Sequence, residues 1–148
     1  MAEDYRRFRD GKALARALAG ELSSRSEAVG LLKEGVTQIL SSLKANGRVR
    51  LPKIEKVTDY VFESSISKLG LLESDLVEDV VYVYENIAAF RAALRLAAEK
   101  DAGDPQAILL IKLSLSALGR ASNRGNDLPT RLRAYASRPY RLFSEKKG

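Results

Sequence analysis

The sequence of 148 residues contains no cysteine, no histidine and no tryptophan. Without cysteine the chain can form neither a disulfide nor a thiolate metal site. The sequence therefore does not indicate whether the protein belongs to an oxidising or a reducing compartment. Without histidine it lacks the most common general base and the most common zinc ligand. It also has no glycine-rich phosphate loop and no nucleophile elbow. The sequence therefore predicts a non-enzymatic protein without catalytic residues, metal, cofactor or small-molecule substrate.

Long apolar runs are absent as well. No uninterrupted run approaches the ~18–20 residues that a membrane-spanning helix needs. The N-terminal stretch MAEDYRRFRDGK is charged and has no apolar core behind it, which is not the pattern of a signal peptide. Hydrophobic residues make up 45% and charged residues 30% of the chain, the balance of an ordinary globular domain. We therefore expect a soluble domain that folds without disulfides or metals.

The net charge of +6 is concentrated near the C-terminus. Residues 120–148 hold eight basic residues and two acids, Asp127 and Glu145, whereas residues 1–119 are neutral overall. From this shift in composition we divide the chain into two parts. Residues 1–127 form a helical bundle domain, and residues 128–148 form a basic C-terminal segment that is partly helical or frayed.

Apolar residues at three- and four-residue spacing from Phe8 to Leu43 predict one long N-terminal helix. On this face only Gly11, which has no side chain, and Arg25, which is charged, interrupt the apolar pattern. A helix of this length would measure ~60 Å, which suggests a coiled-coil-like seam or a break between Ser23 and Gly30. The face also exceeds what shorter helices can cover in one bundle, so it favours self-association.

The next helix is predicted from Ile54 to Leu69, with Pro52 in its first turn and Gly70 as its C-terminal cap. Two leucines at the following corner, Leu71 and Leu72, are expected to close the core beneath it. After them the same helical spacing of apolar residues resumes.

Two more helices complete the predicted bundle. The third carries apolar residues from Leu76 to Ala97 behind Ser74 as its N-cap, and it should end near Lys100 to Gly103. The fourth runs from Gln106 to Leu118 behind Asp104-Pro105 and is apolar nearly all round, which is typical of the most buried helix of a bundle. Short connectors between helices favour antiparallel neighbours. We therefore predict an all-α fold, an antiparallel bundle of about four helices, in which residues 128–136 add one or two polar turns.

Three stretches resemble a family of bacterial proteins without an assigned activity. The corner SKLGLL at 67–72, followed by Val80-Val81-x-x-Tyr84 on a helix, is similar to a motif of that family. The segment ALARALAGEL at 13–22 is similar to the part that follows a short N-terminal membrane helix there, and ALGR at 117–120 matches a place near its C-terminus. The resemblance implies a bacterial protein in the cytoplasm or on the cytoplasmic face of the inner membrane. It transfers no catalytic residues.

Acidic residues on the second and third helices suggest a magnesium site as one alternative function. Asp59 and Glu63 lie one helical turn apart, and Asp79 and Glu85 follow on the next helix. Carboxylates that face one another across two helices hold magnesium in helical hydrolases. The same acids are also expected without a metal, because acidic residues are favoured near the N-terminus of a helix and on its solvent-exposed face. The magnesium-dependent enzyme is therefore the least favoured of three hypotheses.

Basic and aromatic residues alternate in the C-terminal segment. Arginine between tyrosines can bind phosphates and stack on bases, and it equally suits an anionic membrane surface. Tyr5, Arg6, Arg7 and Arg9 add similar chemistry at the other terminus. A solvated end without a ligand is the simplest alternative. The predicted contacts to nucleic acid or anionic lipid are Arg131, Arg133, Arg138, Tyr140, Arg141, Lys146 and Lys147.

The favoured hypothesis from sequence is a helical interaction domain that associates with itself, with a protein partner or with a membrane. Its expected contact surface lies at the corner around Leu71 and Leu72, together with Tyr82. Attachment to nucleic acid or anionic lipid through the basic C-terminal segment is the second hypothesis.

Overall fold

The computed structural model of the protein describes residues 2–45, 51, 59–101 and 103–140. These residues are helical without a strand among them, which confirms the predicted all-α class. They form five α-helices and one 3-10 helix: α1 Ala2–Lys44, α2 Tyr60–Ser65, the 3-10 helix Ile66–Leu71, α3 Ser74–Ala98, α4 Pro105–Gly125 and α5 Leu128–Ala136.

The helices pack as antiparallel neighbours. Across the α3–α4 hairpin, Arg120 donates a hydrogen bond to Asn86 at 2.9 Å. α5 runs antiparallel along the first half of α1, where Arg16 donates to the carbonyl oxygen of Ala136 at 3.1 Å and Arg133 donates to the Ser23 hydroxyl at 3.0 Å. This pairing carries the C-terminal end of α5 toward the N-terminus of α1.

Two apolar cores share α1 and α3. The first core joins the N-terminal halves of α1 and α3 to α5 through residues that include Leu18, Leu22, Val80, Tyr84, Leu128 and Leu132. The second core joins the C-terminal halves of α1 and α3 to α4 through residues that include Val36, Leu43, Phe90, Leu94, Ile111 and Leu118. The apolar face predicted on the long N-terminal helix is therefore covered by helices of the same chain.

The prediction of one long N-terminal helix is confirmed, since α1 is continuous from Ala2 to Lys44, and the alternative break between Ser23 and Gly30 does not occur. Between Leu22 and Val36, however, no side chain of α1 is buried, and Leu31 is 75% exposed. The helix crosses from one core to the other with partial contacts on this stretch, where Arg25 pairs with Asp59 and the half-buried Val29 packs against the second core. Its length thus gives no reason to expect a second copy of the chain, and self-association stays an untested prediction.

The corner after α2 departs from the predicted caps. Residues 52–58, with Pro52 and the start of the predicted second helix, lie outside the described part of the chain. Gly70 is not a cap, because it lies within the 3-10 helix, and the chain becomes extended only at Leu72. Ser74 is the first residue of α3, whose N-cap is Glu73. A 3-10 turn closes the corner where we expected a left-handed glycine.

The start of the fourth helix is confirmed but its end is not. Asp104 accepts a hydrogen bond from the backbone N–H of Gln106 at 2.8 Å, as an N-cap does. α4 then continues through Gly119 to Gly125, because packing against α3 outweighs the ~1 kcal/mol that a helical glycine costs. Although α4 is apolar nearly all round, it is not buried on every side, since Leu109 and Leu113 are 56% and 52% exposed.

Residues 128–136 form the predicted short helix, but it is not polar. Leu128 and Leu132 are fully buried in the first core, and Ala136 is 1% exposed. The first part of the basic C-terminal segment is therefore a structural element of the bundle.

Candidate functional site: the basic aromatic end of the bundle

The ring of Tyr140 packs against both aromatic residues near the start of α1. Its centroid lies 5.2 Å from that of Tyr5, in an edge-on arrangement, and 5.2 Å from that of Phe8. This contact follows from the antiparallel path of α5, which returns the chain to the N-terminal turn of α1. Residues 141–148, which include Arg141, Lys146 and Lys147, begin directly after it and lie outside the described residues.

The turns of α1 that carry Tyr5 and Phe8 also carry three arginines and three exposed acids, Glu3, Asp4 and Asp10. Arg6, Arg7 and Arg9 lie on the first turns of α1 and are all exposed. Arg9 lies 3.7 Å from the carboxylate of Asp10, an exposed ion pair that contributes little stability. Lys12 places its ammonium group 4.9 Å from the centre of the Phe8 ring. We call the surface formed by Tyr5, Arg6, Arg7, Phe8, Arg9 and Tyr140 the basic aromatic end.

Two of the predicted basic contact residues form ion pairs within the bundle. Arg131 donates to Asp79 at 2.6 Å and to Asp127 at 3.3 Å. The hydrogen bond that Arg131 donates to Asp79 raises the pKa of the Arg131 guanidinium, although partial burial opposes the shift. Arg138 forms an ion pair with Glu73. These arginines attach α5 to α3, and neither presents an unoccupied guanidinium to a ligand.

Arg133 is arranged differently. It donates to the Ser23 hydroxyl at 3.0 Å and forms no ion pair with a carboxylate of the described residues. Among the predicted contact residues, the structure thus brings Tyr140 to the N-terminal arginines and leaves Arg133 on the seam between α1 and α5.

The residues of the predicted corner surface are used inside the fold. Leu72 is 6% exposed, and the carbonyl oxygen of half-buried Leu71 accepts a hydrogen bond from Tyr135 at 2.9 Å. Tyr82 is half-buried beneath the guanidinium of Arg124, 4.0 Å from the ring centroid. Little of this corner is available to a partner.

The acids of the magnesium hypothesis do not converge. Asp59 forms ion pairs with Arg25 and Arg91, and Asp79 forms them with two further arginines. Within the described ranges, no group of three or more acidic side chains is placed to hold a metal ion. Glu63 and Glu85 are exposed.

Sequence reasoning missed Glu21, a partly buried acid that contacts the first core through Tyr84. Its carboxylate accepts hydrogen bonds from the Tyr84 hydroxyl at 2.6 Å and from the backbone N–H groups of Val61 and Phe62 at 2.8 and 3.2 Å. It therefore caps the N-terminus of α2 from another helix. Arg25, one turn later on α1, was the only signal of this network in the sequence.

The same network perturbs Tyr84. Burial, followed by the hydrogen bond to Glu21, raises the pKa of the Tyr84 phenol well above its ordinary value. Phe62 stacks on the Tyr84 ring with centroids 4.1 Å apart. Because these groups lie in the interior and satisfy one another, their geometry indicates a structural role that fixes α2 on α1 and α3.

Within the described residues, none of the helices combines the length and apolarity needed to cross a membrane. Comparison with protein-family models, with curated proteins and with solved structures finds no match to this chain.

Proposed function

We propose that this chain is a non-enzymatic attachment module that binds an anionic membrane surface through its basic aromatic end. One observation carries the proposal: Tyr140 packs on Tyr5 and Phe8. This contact places the residue that precedes 141–148 beside the turns of α1 that carry Arg6, Arg7 and Arg9. Residues 141–148 contain three basic residues and one acid, Glu145, and in this proposal both segments meet the membrane.

The charge of this surface suits anionic lipid. A lysine or arginine near an anionic membrane contributes about 1 kcal/mol, and the contribution falls off within a Debye length. Part of the net charge lies next to the basic aromatic end, because residues 141–148, with three basic residues and one acid, follow Tyr140 directly. The protein would therefore approach a membrane with this end first.

The aromatic residues favour lipid over nucleic acid. Base stacking requires an accessible ring face, whereas Tyr5, Phe8 and Tyr140 pack against one another. Tyr5 is 50% exposed, and a tyrosine of this kind places its ring at the headgroup level with its hydroxyl in water.

Sedimentation with lipid vesicles tests the proposal. We expect the full chain to bind vesicles of phosphatidylcholine and phosphatidylserine but not phosphatidylcholine alone, and to dissociate as salt rises. Arg6→Gln/Arg7→Gln/Arg9→Gln and a chain ending at Tyr140 should each bind at least about tenfold more weakly. The deletion must not extend into α5, because Leu128 and Leu132 are buried in the first core.

A matched control removes three positive charges at the opposite end of the bundle. Lys33→Gln/Lys100→Gln/Lys112→Gln changes exposed side chains of the same charge and should leave vesicle binding unchanged. Equal losses in both triple variants would mean that only net charge matters and would overturn the assignment to this end. Tighter binding to a nucleic-acid duplex than to anionic vesicles would overturn the choice of lipid.

A further inference from the structure

A notch with two arginines lies on the seam between α1 and α5. Its lining includes Arg16, Arg133 and Ser137, and it encloses about 390 Å³. Arg16 approaches from α1, and the other two residues come from the last turn of α5 and the position after it. The notch is separate from the basic aromatic end, since Arg16 follows Phe8 by about 12 Å along the helix axis.

These two arginines differ from most others that the structure describes. Five arginines form ion pairs with carboxylates of other helices or loops, namely Arg25, Arg91, Arg124, Arg131 and Arg138. Arg16 and Arg133 instead donate to uncharged oxygen atoms, the Ala136 carbonyl at 3.1 Å and the Ser23 hydroxyl at 3.0 Å. Arg120 is similar, but it bonds to Asn86 on the far side of the bundle.

The hydrogen bonds fix each guanidinium without using up its donors. A guanidinium carries five N–H groups, and one bond from each arginine leaves several directed elsewhere. The Ala136 carbonyl and the Ser23 hydroxyl bring no negative charge, so the positive charge of the pair is not neutralised. Ser137 donates its hydroxyl hydrogen to the Arg133 carbonyl oxygen at 2.9 Å, so the two arginines are the groups of the lining that offer free N–H donors.

The sequence segments around Arg16 and Arg133 contain no acidic residues. Residues 12–20, KALARALAG, contain no aspartate or glutamate, and neither do residues 128–137, LPTRLRAYAS. The neighbours of Arg16 one turn away on α1 are Lys12, Ala13, Ala19 and Gly20, and Lys12 is directed to the Phe8 ring. Arg16 and Arg133 thus line one concave surface, and no acid lies next to either of them in sequence.

We propose that the notch of Arg16 and Arg133 binds a phosphate monoester, which supplies the missing negative charge. Two guanidinium forks match the planar, bidentate geometry in which arginine binds phosphate oxygens. A monoester carries close to two negative charges at neutral pH and balances both arginines, whereas a diester carries one. The phosphate belongs either to a soluble metabolite or to a lipid headgroup, and the two sources are separable by experiment.

Arginine-resolved NMR titration of the full chain provides the test. Inorganic phosphate and glycerol 3-phosphate should shift the Nε–H resonances of Arg16 and Arg133 along one saturable curve. Arg16→Gln/Arg133→Gln should weaken that binding at least tenfold, and Arg16→Lys/Arg133→Lys should weaken it less because charge remains without the fork. The matched control Arg95→Gln/Arg120→Gln should leave it unchanged.

Vesicles identify the source of the phosphate. Preference for phosphatidic acid, a monoester, over phosphatidylglycerol, a diester, at equal surface charge would assign the notch to a headgroup if Arg16→Gln/Arg133→Gln abolishes it. Saturable binding of glycerol 3-phosphate without that preference would assign it to a soluble ligand. Either result supports the phosphate site.

Three results would overturn the site: no saturable shift at Arg16 and Arg133, equal phosphate binding after Arg16→Gln/Arg133→Gln, or equal affinity for dimethyl phosphate and glycerol 3-phosphate. Circular dichroism melting of each variant separates lost binding from lost folding. The outcome is independent of the proposed membrane attachment, since a chain that ends at Tyr140 keeps the whole notch and should still bind inorganic phosphate.

Discussion

Arg25 of α1 lies 2.7 Å from one carboxylate oxygen of Asp59, just before the start of α2. The other carboxylate oxygen lies 3.2 Å from Arg91 of α3. Asp59 is 8% exposed, so one buried carboxylate joins two helices through two guanidinium groups and holds the first turn of α2 between them.

Replacing this carboxylate should destabilise the bundle. Asp59→Asn keeps the size of the side chain but leaves two nearby arginines without their shared negative charge. Breaking a largely buried ion pair costs a few kcal/mol, and partial exposure of Arg25 reduces the effect, so we expect a loss of about 2–3 kcal/mol. Urea denaturation measures it. Asp101→Asn, an exposed substitution of the same kind, should change stability by less than about 0.5 kcal/mol; equal effects would contradict a joining role for Asp59.

Gly11 should respond to substitution in the opposite way to another glycine of the same helix. A Cβ atom at Gly11 would lie 2.9 Å from the Leu71 carbonyl oxygen and 3.1 Å from the Tyr135 hydroxyl, whereas a Cβ at Gly20 meets nothing within 4 Å. Gly20→Ala should stabilise the protein by about 0.5–1 kcal/mol through helix propensity. Gly11→Ala should destabilise it by about 1–3 kcal/mol, because backbone atoms of the corner must move.

Thermal melting of the two glycine variants side by side gives the comparison. Opposite shifts in melting temperature are expected. A stabilised Gly11→Ala variant would show that α1 does not approach the corner as closely as the structure indicates.

Gly11 and Arg25 also show which features of the fold the sequence predicts and which it does not. Apolar spacing predicts most of the core face of α1 and α3 because helix periodicity is a local property. The same spacing identifies these two residues as exceptions but not their partners, since Leu71 and Asp59 lie far along the chain. The roles of Gly11 and Arg25 therefore depend on tertiary contacts that helix periodicity does not reveal.

Packing also explains why two helices extend beyond their predicted ends. Gly70 and Gly119 carry a strong local signal for termination, but each costs only about 1 kcal/mol inside a helix. The contact between Gly125 and Val83, which has no room for a Cβ, keeps α4 against α3 beyond Gly119. At the site, composition correctly identifies arginines and tyrosines, but it cannot distinguish Arg131, which pairs with Asp79, from Arg133, which does not.

The hydrogen bond from Tyr84 to Glu21 should make a measurable contribution at neutral pH. Tyr84→Phe removes the donor and leaves a partly buried carboxylate with one partner fewer. Hydrogen bonds to charged groups contribute about 1.5–3 kcal/mol, and we expect a loss in that range from urea denaturation at pH 7. Tyr60→Phe, at a side chain that is 75% exposed, serves as the control and should be nearly neutral.

Tyr84 should also make the protein sensitive to alkaline pH. Its pKa is raised in the folded state by burial and by Glu21, whereas in the unfolded chain a tyrosine titrates near pH 10. The folded state therefore keeps a proton that the unfolded state releases, so the free energy of unfolding should fall as pH rises above about 10. Burial raises the pKa of Tyr135 as well and adds to this slope.

Urea denaturation at pH 8 and at pH 11 measures this effect. Tyr84→Phe should reduce the loss of stability between the two values relative to the unsubstituted chain, even though the variant is less stable at pH 8. An identical loss in both proteins would exclude Tyr84 as a source of the alkaline dependence.

The position of α5 inside the first core leads to the last prediction. Leu132 is fully buried between α5 and its neighbours, so Leu132→Ala should leave a cavity and lower the free energy of unfolding by about 2–5 kcal/mol. Leu113→Ala removes the same atoms from a side chain that is 52% exposed and should cost less than about 1 kcal/mol. Denaturation followed by circular dichroism should show one cooperative transition for each protein, at a lower midpoint in Leu132→Ala. An unchanged midpoint would mean that α5 does not pack stably in the first core. The contact between Tyr140 and Tyr5, on which the basic aromatic end depends, would then not be stable in solution.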